Sequence, residues 1–296
     1  MSDYRAGCAG YFDYRVLCRA SRNSRAGGEN KHLKIGGAMK TLHLLLATAC
    51  LNFATLAHGD EPTPDTTPGP DIDRMSERVL LDACGYLRSA DRFSVDVDAT
   101  YEDVLTTGTR VEYSRQARIV LERPDRLRID SESDKGPRSF YYDGNTVTVY
   151  HPDEAIYAIF AAPPTIDAMV DAVEARDVSM PASDLLLNHP CQALGEHLLT
   201  GVYAGRHYLD GDWYHHLLLS TDAVDVQLWV AEGEAPEIHK LVITYTHKPG
   251  EPQYRALLGD WNFTPDIDGS TFIFTPPAGA RKVAFRGAEA TPGGDQ

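Results

Sequence analysis

Phe93-Ser94-Val95-Asp96-Val97-Asp98-Ala99-Thr100-Tyr101 alternates apolar and polar residues without a break. Successive side chains of a strand point to opposite faces, so this stretch reads as a strand with one apolar face and one wet face. Asp96 and Asp98 fall on the wet face and read as solvated rather than as metal ligands. Moving outward, Thr106-Thr107-Gly108-Thr109 turns the chain and a second strand runs from Arg110 to Glu122. It stops at Arg123-Pro124-Asp125, because proline cannot donate to a ladder. Arg126 to Asp130 is a third strand, with Leu127 and Ile129 on one face. Phe140 to Tyr142 and Thr146 to Tyr150 flank Asp143-Gly144-Asn145, a hairpin in which Asp-Gly supplies the positive φ of a tight turn. Ile156 to Phe160 follows. Strands joined by short turns, with no helix between them, make an antiparallel meander rather than βαβ units.

Two helical segments interrupt this pattern. Before the meander, Ile72, Met75, Val79, Ala83 and Tyr86 recur at three and four and predict an apolar helix face, with Asp71 as its cap. After it comes an insert over 163–200. There Thr165 caps a helix over 165–178 with Ile166, Met169, Val170 and Val173 on one face, and Asp184 to Asn188 forms a short second piece. Strands then resume at Gly201–Leu209, Tyr214–Ser220, Val224–Val230, Lys240–Thr246, residues 253–263 and Thr271–Phe274. A sheet this large must curl, close or split. The expected fold class is therefore α+β: an open, strongly curled antiparallel half-barrel of about ten or eleven strands wrapped around a helical lid.

Composition excludes several functions. Against 28 Lys and Arg stand 43 Asp and Glu, a net charge of −15. Neutralising a phosphate backbone needs clustered cations, so nucleic acid is not an expected partner. The chain carries no G-x-S-x-G, no glycine-rich phosphate loop, no H-E-x-x-H and no C-x-x-C. His215 and His216 are adjacent in a strand and face opposite sides. Asp210-Gly211-Asp212 and Asp266-Ile267-Asp268-Gly269 echo a calcium loop without its later glutamate and read as polar turns. No enzyme activity, metal or cofactor is expected.

Residues 39–57 read as a secretory signal peptide: Lys40, a short apolar run, and small residues before the cut after Ala57. The run is too short to span a membrane. Residues 1–38 read as a leader upstream of the true start, 58–70 as a Pro/Thr/acidic tether, 71–286 as one domain and 287–296 as a disordered tail. The expected location is the periplasm of a Gram-negative bacterium, as an exported soluble protein. A lipid anchor on Cys50 is the alternative. Removing 1–57 also removes eight Lys and Arg against three acids, leaving a still more acidic chain. In that compartment Cys84 and Cys191 suggest one disulfide, the alternative being two buried thiols.

Three motifs carry a family resemblance. Arg123-Pro124-Asp125-Arg126-Leu127 is followed by Asp143-Gly144-Asn145-Thr146-Val147-Thr148-Val149-Tyr150-His151-Pro152, then Phe272-Ile273-Phe274-Thr275-Pro276-Pro277-Ala278-Gly279. In this order the chain resembles the periplasmic lipoprotein carriers LolA and LolB and their superfamily. Within it, residues 71–286 look most similar to a family of predicted periplasmic proteins of unknown function. The resemblance implies an apolar cavity for the acyl chains of lipids or lipoproteins. Its wall would comprise Phe93, Val95, Val97, Leu127, Ile129, Val147 and Val149, and its lid Ile166, Met169, Val170 and Val173. For the wall residues, plain core is the competing role. Arg123 takes the position of the arginine that holds the carrier's lid shut; a surface ion pair is its alternative. An envelope sensor that binds a protein partner through the same half-barrel is the second functional reading, and an unrecognised hydrolase the third.

Overall fold

Register across one long sheet brings the apolar residues of distant strands into line. The computed structural model describes residues 71–176 and 178–285. The expected leader, signal peptide, Cys50 anchor, tether and tail lie outside these residues. In chain order the elements are β1 (Asp71–Ile72), α1 (Arg74–Ser89), β2 (Arg92–Val104), β3 (Arg110–Glu122), β4 (Arg126–Ser133), β5 (Arg138–Tyr142), β6 (Thr146–His151) and β7 (Ile156–Ala161). The insert holds α2 (Ile166–Glu174), a 3-10 turn (Ser183–Leu185) and α3 (Gln192–Glu196). Then follow β8 (Thr200–Leu209), β9 (Asp212–Ser220), β10 (Asp225–Ala231), β11 (Ile238–Thr244), β12 (Gln253–Asn262) and β13 (Arg281–Lys282).

All thirteen strands form one open sheet in the order β1-β8-β9-β10-β11-β12-β2-β3-β4-β5-β6-β7-β13. Two meanders meet where β12 pairs antiparallel with β2. The fold is thus the expected open, antiparallel-dominated half-barrel with helices. The strand number exceeds the expected ten or eleven, because two-residue strands β1 and β13 add parallel pairs at the two edges. Two residues are too few to show a period in sequence.

Several local expectations need correction. The cap of α1 is Asp73, not Asp71; Asp71 and Ile72 instead form β1. Asp73 Oδ1 accepts from the backbone N–H of Met75 at 3.0 Å and of Ser76 at 2.8 Å. Its other oxygen accepts from the Tyr203 amide, so one carboxylate caps the helix and ties it to β8. The buried face of α1 is Val79, Leu80, Ala83, Cys84 and Leu87, while Met75 is 42% exposed. Two apolar stripes overlap on this helix, and the sheet selects the one that includes Leu80, Cys84 and Leu87. Helix α2 starts under Thr165 as expected, with the Thr165 hydroxyl accepting from Ala168 N at 3.2 Å, but ends at Glu174 rather than 178. The second helical piece is the 3-10 turn at Ser183–Leu185.

Thr271–Phe274 is not a strand. It belongs to an irregular strap along the outer face of β4–β7. The ring of Phe274 lies 5.1–5.4 Å from those of Tyr141, Tyr150 and Tyr157, and the Thr271 carbonyl accepts from Arg128 Nη1. The strap then leads into β13 along the β7 edge. At the hairpin expected around Asp143, the Asp143 side chain accepts from Asn145 N and Thr146 N at 2.9 and 2.7 Å. Gly144 has φ of 91°, and a Cβ there would stand 2.8 Å from Asp125 Oδ2.

Candidate functional site

The concave face is organised in rows. Phe93, Leu121, Leu127, Tyr142, Val147 and Phe160 pair in succession across β2 to β7. The next row is Val95, Ile119, Ile129, Phe140, Val149 and Ala158. Six of the seven wall residues named from sequence therefore stand in two adjacent rows, and Val97 begins the third. Across the other meander, Leu217, Leu228, Leu241, Ala256 and Ala99 make a matching row.

Both helices lie against these rows. Phe93, Val95, Leu127 and Val147 are at most 1% exposed; Val97, Ile129 and Val149 are half-buried and pack on the same cluster. On α2, Ile166, Met169, Val170 and Val173 are no more than 4% exposed and belong to that cluster, as do Leu186, Cys191 and Leu198 of the insert. Burying a Leu, Phe or Met side chain contributes about 1.5–3 kcal/mol, so this cluster is a principal stabilising feature of the domain. It contains both the residues expected to line a cavity and those expected to cover it.

Polar contacts fasten the insert at its rim. Arg123 Nη1 donates to the Leu186 carbonyl at 3.0 Å and also to that of Leu187, while Nε donates to the Ala90 carbonyl at 3.2 Å. The guanidinium thus joins the exit of α1 to the insert, with Phe93 beneath it at 5.9 Å. Its Nη2 is buried without a hydrogen-bond partner. Burial pulls the Arg123 pKa down, and Asp167 and Asp91 push it back up. The Arg123–Pro124 peptide is cis. The Pro124 carbonyl accepts from Ile166 N at 2.9 Å and from Asn188 Nδ2 at 3.1 Å. Asn188 N in turn donates to Asp167 Oδ2. Cys84 and Cys191 form a disulfide, with Cα atoms 5.9 Å apart, that joins α1 to the start of α3.

Sequence reasoning placed Arg123 but not its acceptors. These are main-chain carbonyls 33, 63 and 64 residues away, and a carbonyl has no signature in sequence. It also passed over the far end of the concave face. There Tyr101 and Tyr113 stack at 5.4 Å beside Arg115 and Lys135. The inward alternation of Tyr113, Arg115 and Ala117 on β3 was the available signal.

Two clefts open at the surface. One, of about 670 Å³, crosses the outer face between Asp96, Asp98, Gln116, Arg118, Asp130 and Glu132. The other, of about 480 Å³, separates α1, at Met75, Arg78 and Tyr86, from the β10–β11 connection at Gly233 to Pro236. His215 and His216 lie on opposite faces, as their adjacency requires: His215 Nδ1 meets the Tyr203 hydroxyl at 2.9 Å, and His216 stacks on Trp229 at 4.0 Å. Among the described residues no three His, Cys, Asp or Glu side chains converge as metal ligands would, and no helix is long and apolar enough to cross a membrane.

No curated protein matches the chain. Among solved structures, the lipoprotein LppX of Mycobacterium tuberculosis shares 11% identity over 66% of this chain and 100% of its own, with a TM-score of 0.39. A LolA-superfamily protein from Nitrosomonas europaea shares 9% identity over 67% of this chain and 96% of its own, with a TM-score of 0.37. A MucA/MucB complex from Pseudomonas aeruginosa contains a chain 12% identical over 64% of this one and 56% of its own, with a TM-score of 0.33. The family model described as "Predicted periplasmic protein (DUF2092)" matches residues 76–286. The chain belongs to that family of predicted periplasmic proteins.

Proposed function

We propose that this protein binds the acyl chain of a lipid or an acylated lipoprotein in the periplasm, without catalysing a reaction on it. The observation that carries the reading is the pairing of Phe93, Leu127 and Val147 in one inward row under a short amphipathic helix, α2. A concave apolar face covered by one separable helix is a site that can open, whereas a core closed by its own sheet is not. The acyl chain takes the place of Ile166, Met169 and Val173 against the wall. Each methylene transferred from water contributes about 0.8 kcal/mol. The latch of Arg123 on Leu186 and Leu187 holds the empty form shut, so the lid does not expose its apolar face when no ligand is present. The LolA-like pattern of the three motifs agrees with this ligand class.

A second reading has one observation of its own. Among the described residues the β8 edge has no strand partner beyond β1, whose neighbour Asp73 takes the Tyr203 amide, and Val202, Tyr208 and Trp213 nearby are 49%, 64% and 49% exposed. An open edge with apolar neighbours suits pairing with an extended segment of another protein.

Native mass spectrometry of the protein exported to a bacterial periplasm separates the two readings. A bound mass of lipid size, released by organic solvent, is the expected result. A protein that leaves the envelope bare and takes up no single-chain lipid on titration overturns the acyl-binding reading.

A further inference from the structure

The inward face of β2 and β3 changes character at its far end. Val97 and Ala117 are small and apolar, Ala99 faces Arg115, and Tyr101 faces Tyr113. On the neighbouring strand Tyr254 pairs with Tyr101 and packs against the apolar cluster. Three cations gather around these rings. The Arg115 guanidinium lies 5.6 Å from the Tyr101 ring, Lys135 Nζ lies 4.2 Å from Tyr113 and 5.6 Å from Tyr101, and Lys248 Nζ lies 4.1 Å from Tyr245. One carboxylate, Asp103, stands among them: it bonds Lys135 at 3.3 Å and its charge acts on Lys248. Glu174, at the end of α2, is the acid that faces Tyr245.

In a chain of net charge −15, three cations on one rim of an apolar concavity need an explanation. Their aromatic neighbours have exposed faces of negative potential that hold the ammonium and guanidinium groups in place. Arg115 Nε is buried and has no hydrogen-bond partner. A buried donor left unpaired is costly unless a ligand completes it. Burial raises the phenols of Tyr245 and Tyr254 to about 12, so both stay neutral and can donate.

We propose that Arg115, Lys135 and Lys248 form the head-group site of the same acyl-binding concavity, and that the ligand is an amphiphile with an anionic phosphate or carboxylate head. The inference rests on the acyl-binding reading. The chain of the amphiphile runs along Val97, Ala99 and Ala256 toward the rows under α2, and its head stays at the rim, where Arg115 Nε and the lysines donate to its oxygens. A charged head at a half-exposed rim keeps part of its hydration, which avoids the cost of full burial.

The test uses the full exported protein and three probes: oleoyl-lysophosphatidylglycerol, oleoyl-lysophosphatidylcholine, and sn-glycerol 3-phosphate. Affinities are measured by native mass spectrometry titration below the micellar concentrations. The expected result is a roughly tenfold preference for the anionic lipid, as charge-assisted hydrogen bonds require. The preference disappears in Arg115→Gln and in Lys248→Gln; the zwitterionic lipid, whose phosphate meets the same donors, also loses affinity but by a smaller factor. Thermal unfolding of the variants shows that they are folded. Equal binding of both lipids, or a preference that survives both substitutions, overturns the head-group site and leaves acyl binding standing. If neither lipid binds, the acyl reading falls and the head-group assignment with it. Glycerol phosphate that binds as tightly as the anionic lipid identifies a free phosphate ester as the ligand and overturns the amphiphile.

Discussion

The two helices that fill the concave face are fastened in different ways. Helix α1 has sixteen residues, a doubly used cap at Asp73, an adjoining strand β1 paired with β8, and a disulfide from Cys84. Helix α2 has nine residues, a single cap bond from Thr165, and four buried apolar side chains. Its surroundings are held by separate hydrogen bonds from Arg123 and Asn188 and by the Asp167 carboxylate. Isolated helices of this length are marginal in water, so α2 depends on its packing, while α1 is tied at both ends. On the acyl-binding reading proposed above, the difference makes α2 rather than α1 the helix that leaves. Opening α2 breaks contacts that re-form one by one; displacing α1 tears the sheet edge and strains a covalent bond.

The largest expected effect comes from cutting that tie. Cys84 and Cys191 are 107 residues apart. For a loop this long the chain-entropy model gives the cross-link about 4–5 kcal/mol. Cys84→Ser with Cys191→Ser, or reduction of the native protein, is expected to shift the urea unfolding midpoint down by a corresponding amount. Urea titrations with and without reductant measure it. A loss below about 1 kcal/mol, outside the range of that model, would show that the unfolded chain keeps α1 near the insert and would remove the contrast between the two helices.

Removing the latch acts on one side of the comparison only. Arg123→Ala leaves the Ala90, Leu186 and Leu187 carbonyls without their donor, and an unsatisfied buried acceptor costs about 1–3 kcal/mol. The expected signature is regional. Amide hydrogen exchange quickens over residues 183–198, while the amides of Val79 to Leu87 keep their protection, because local openings have their own free energies below the global one. Arg123→Lys does not restore protection, since one ammonium cannot reproduce a planar fork that serves carbonyls on two segments. Faster exchange in α1 to the same degree would mean that the plug moves as one body.

Much of this architecture was legible because the strands obey a strict two-residue period and end at residues with mechanical reasons to end them. Pro124 and Asp143-Gly144 fixed β3, β5 and β6 to within a residue or two. From that register came the wall rows, since residues of equal parity on paired strands must share a face. Legibility failed where the local signal was double or absent. Asp71 and Asp73 are both good caps; Asp71 is drawn into β1 opposite Thr200, and Asp73 caps the helix while also accepting from the Tyr203 amide. Phe272-Ile273-Phe274 alternates like a strand, yet the Phe274 ring finds Tyr141, Tyr150 and Tyr157 and the backbone of the stretch is in no strand. The contacts of Arg123 were half legible: arginine before proline is a motif, but the Leu186 and Leu187 carbonyls that receive it are set by the path of the insert.

The smallest expected effect tests the fastening of α1 by pH. Hydrogen bonds, foremost from the Ser76 amide and then from Tyr203 and Met75, hold the Asp73 carboxyl below the usual carboxylate range against the opposing effect of burial. A group whose pKa is lower when folded binds its proton more readily when unfolded. Its contribution is therefore complete above the unfolded value and is lost as pH falls through the folded one. Loss of the cap altogether, in Asp73→Ala, is expected to cost about 1 kcal/mol at neutral pH. Asp73→Asn keeps an oxygen acceptor for the helix amides but has no charge to lose, so its unfolding midpoint should fall less than the wild type's between pH 5 and pH 3, roughly the range in which carboxylates titrate. Thermal melts of the three proteins across that range supply the comparison. Parallel pH curves for wild type and Asp73→Asn would show that Asp73 acts as a neutral acceptor, and that the joint between α1 and β8 owes its strength to β1 instead.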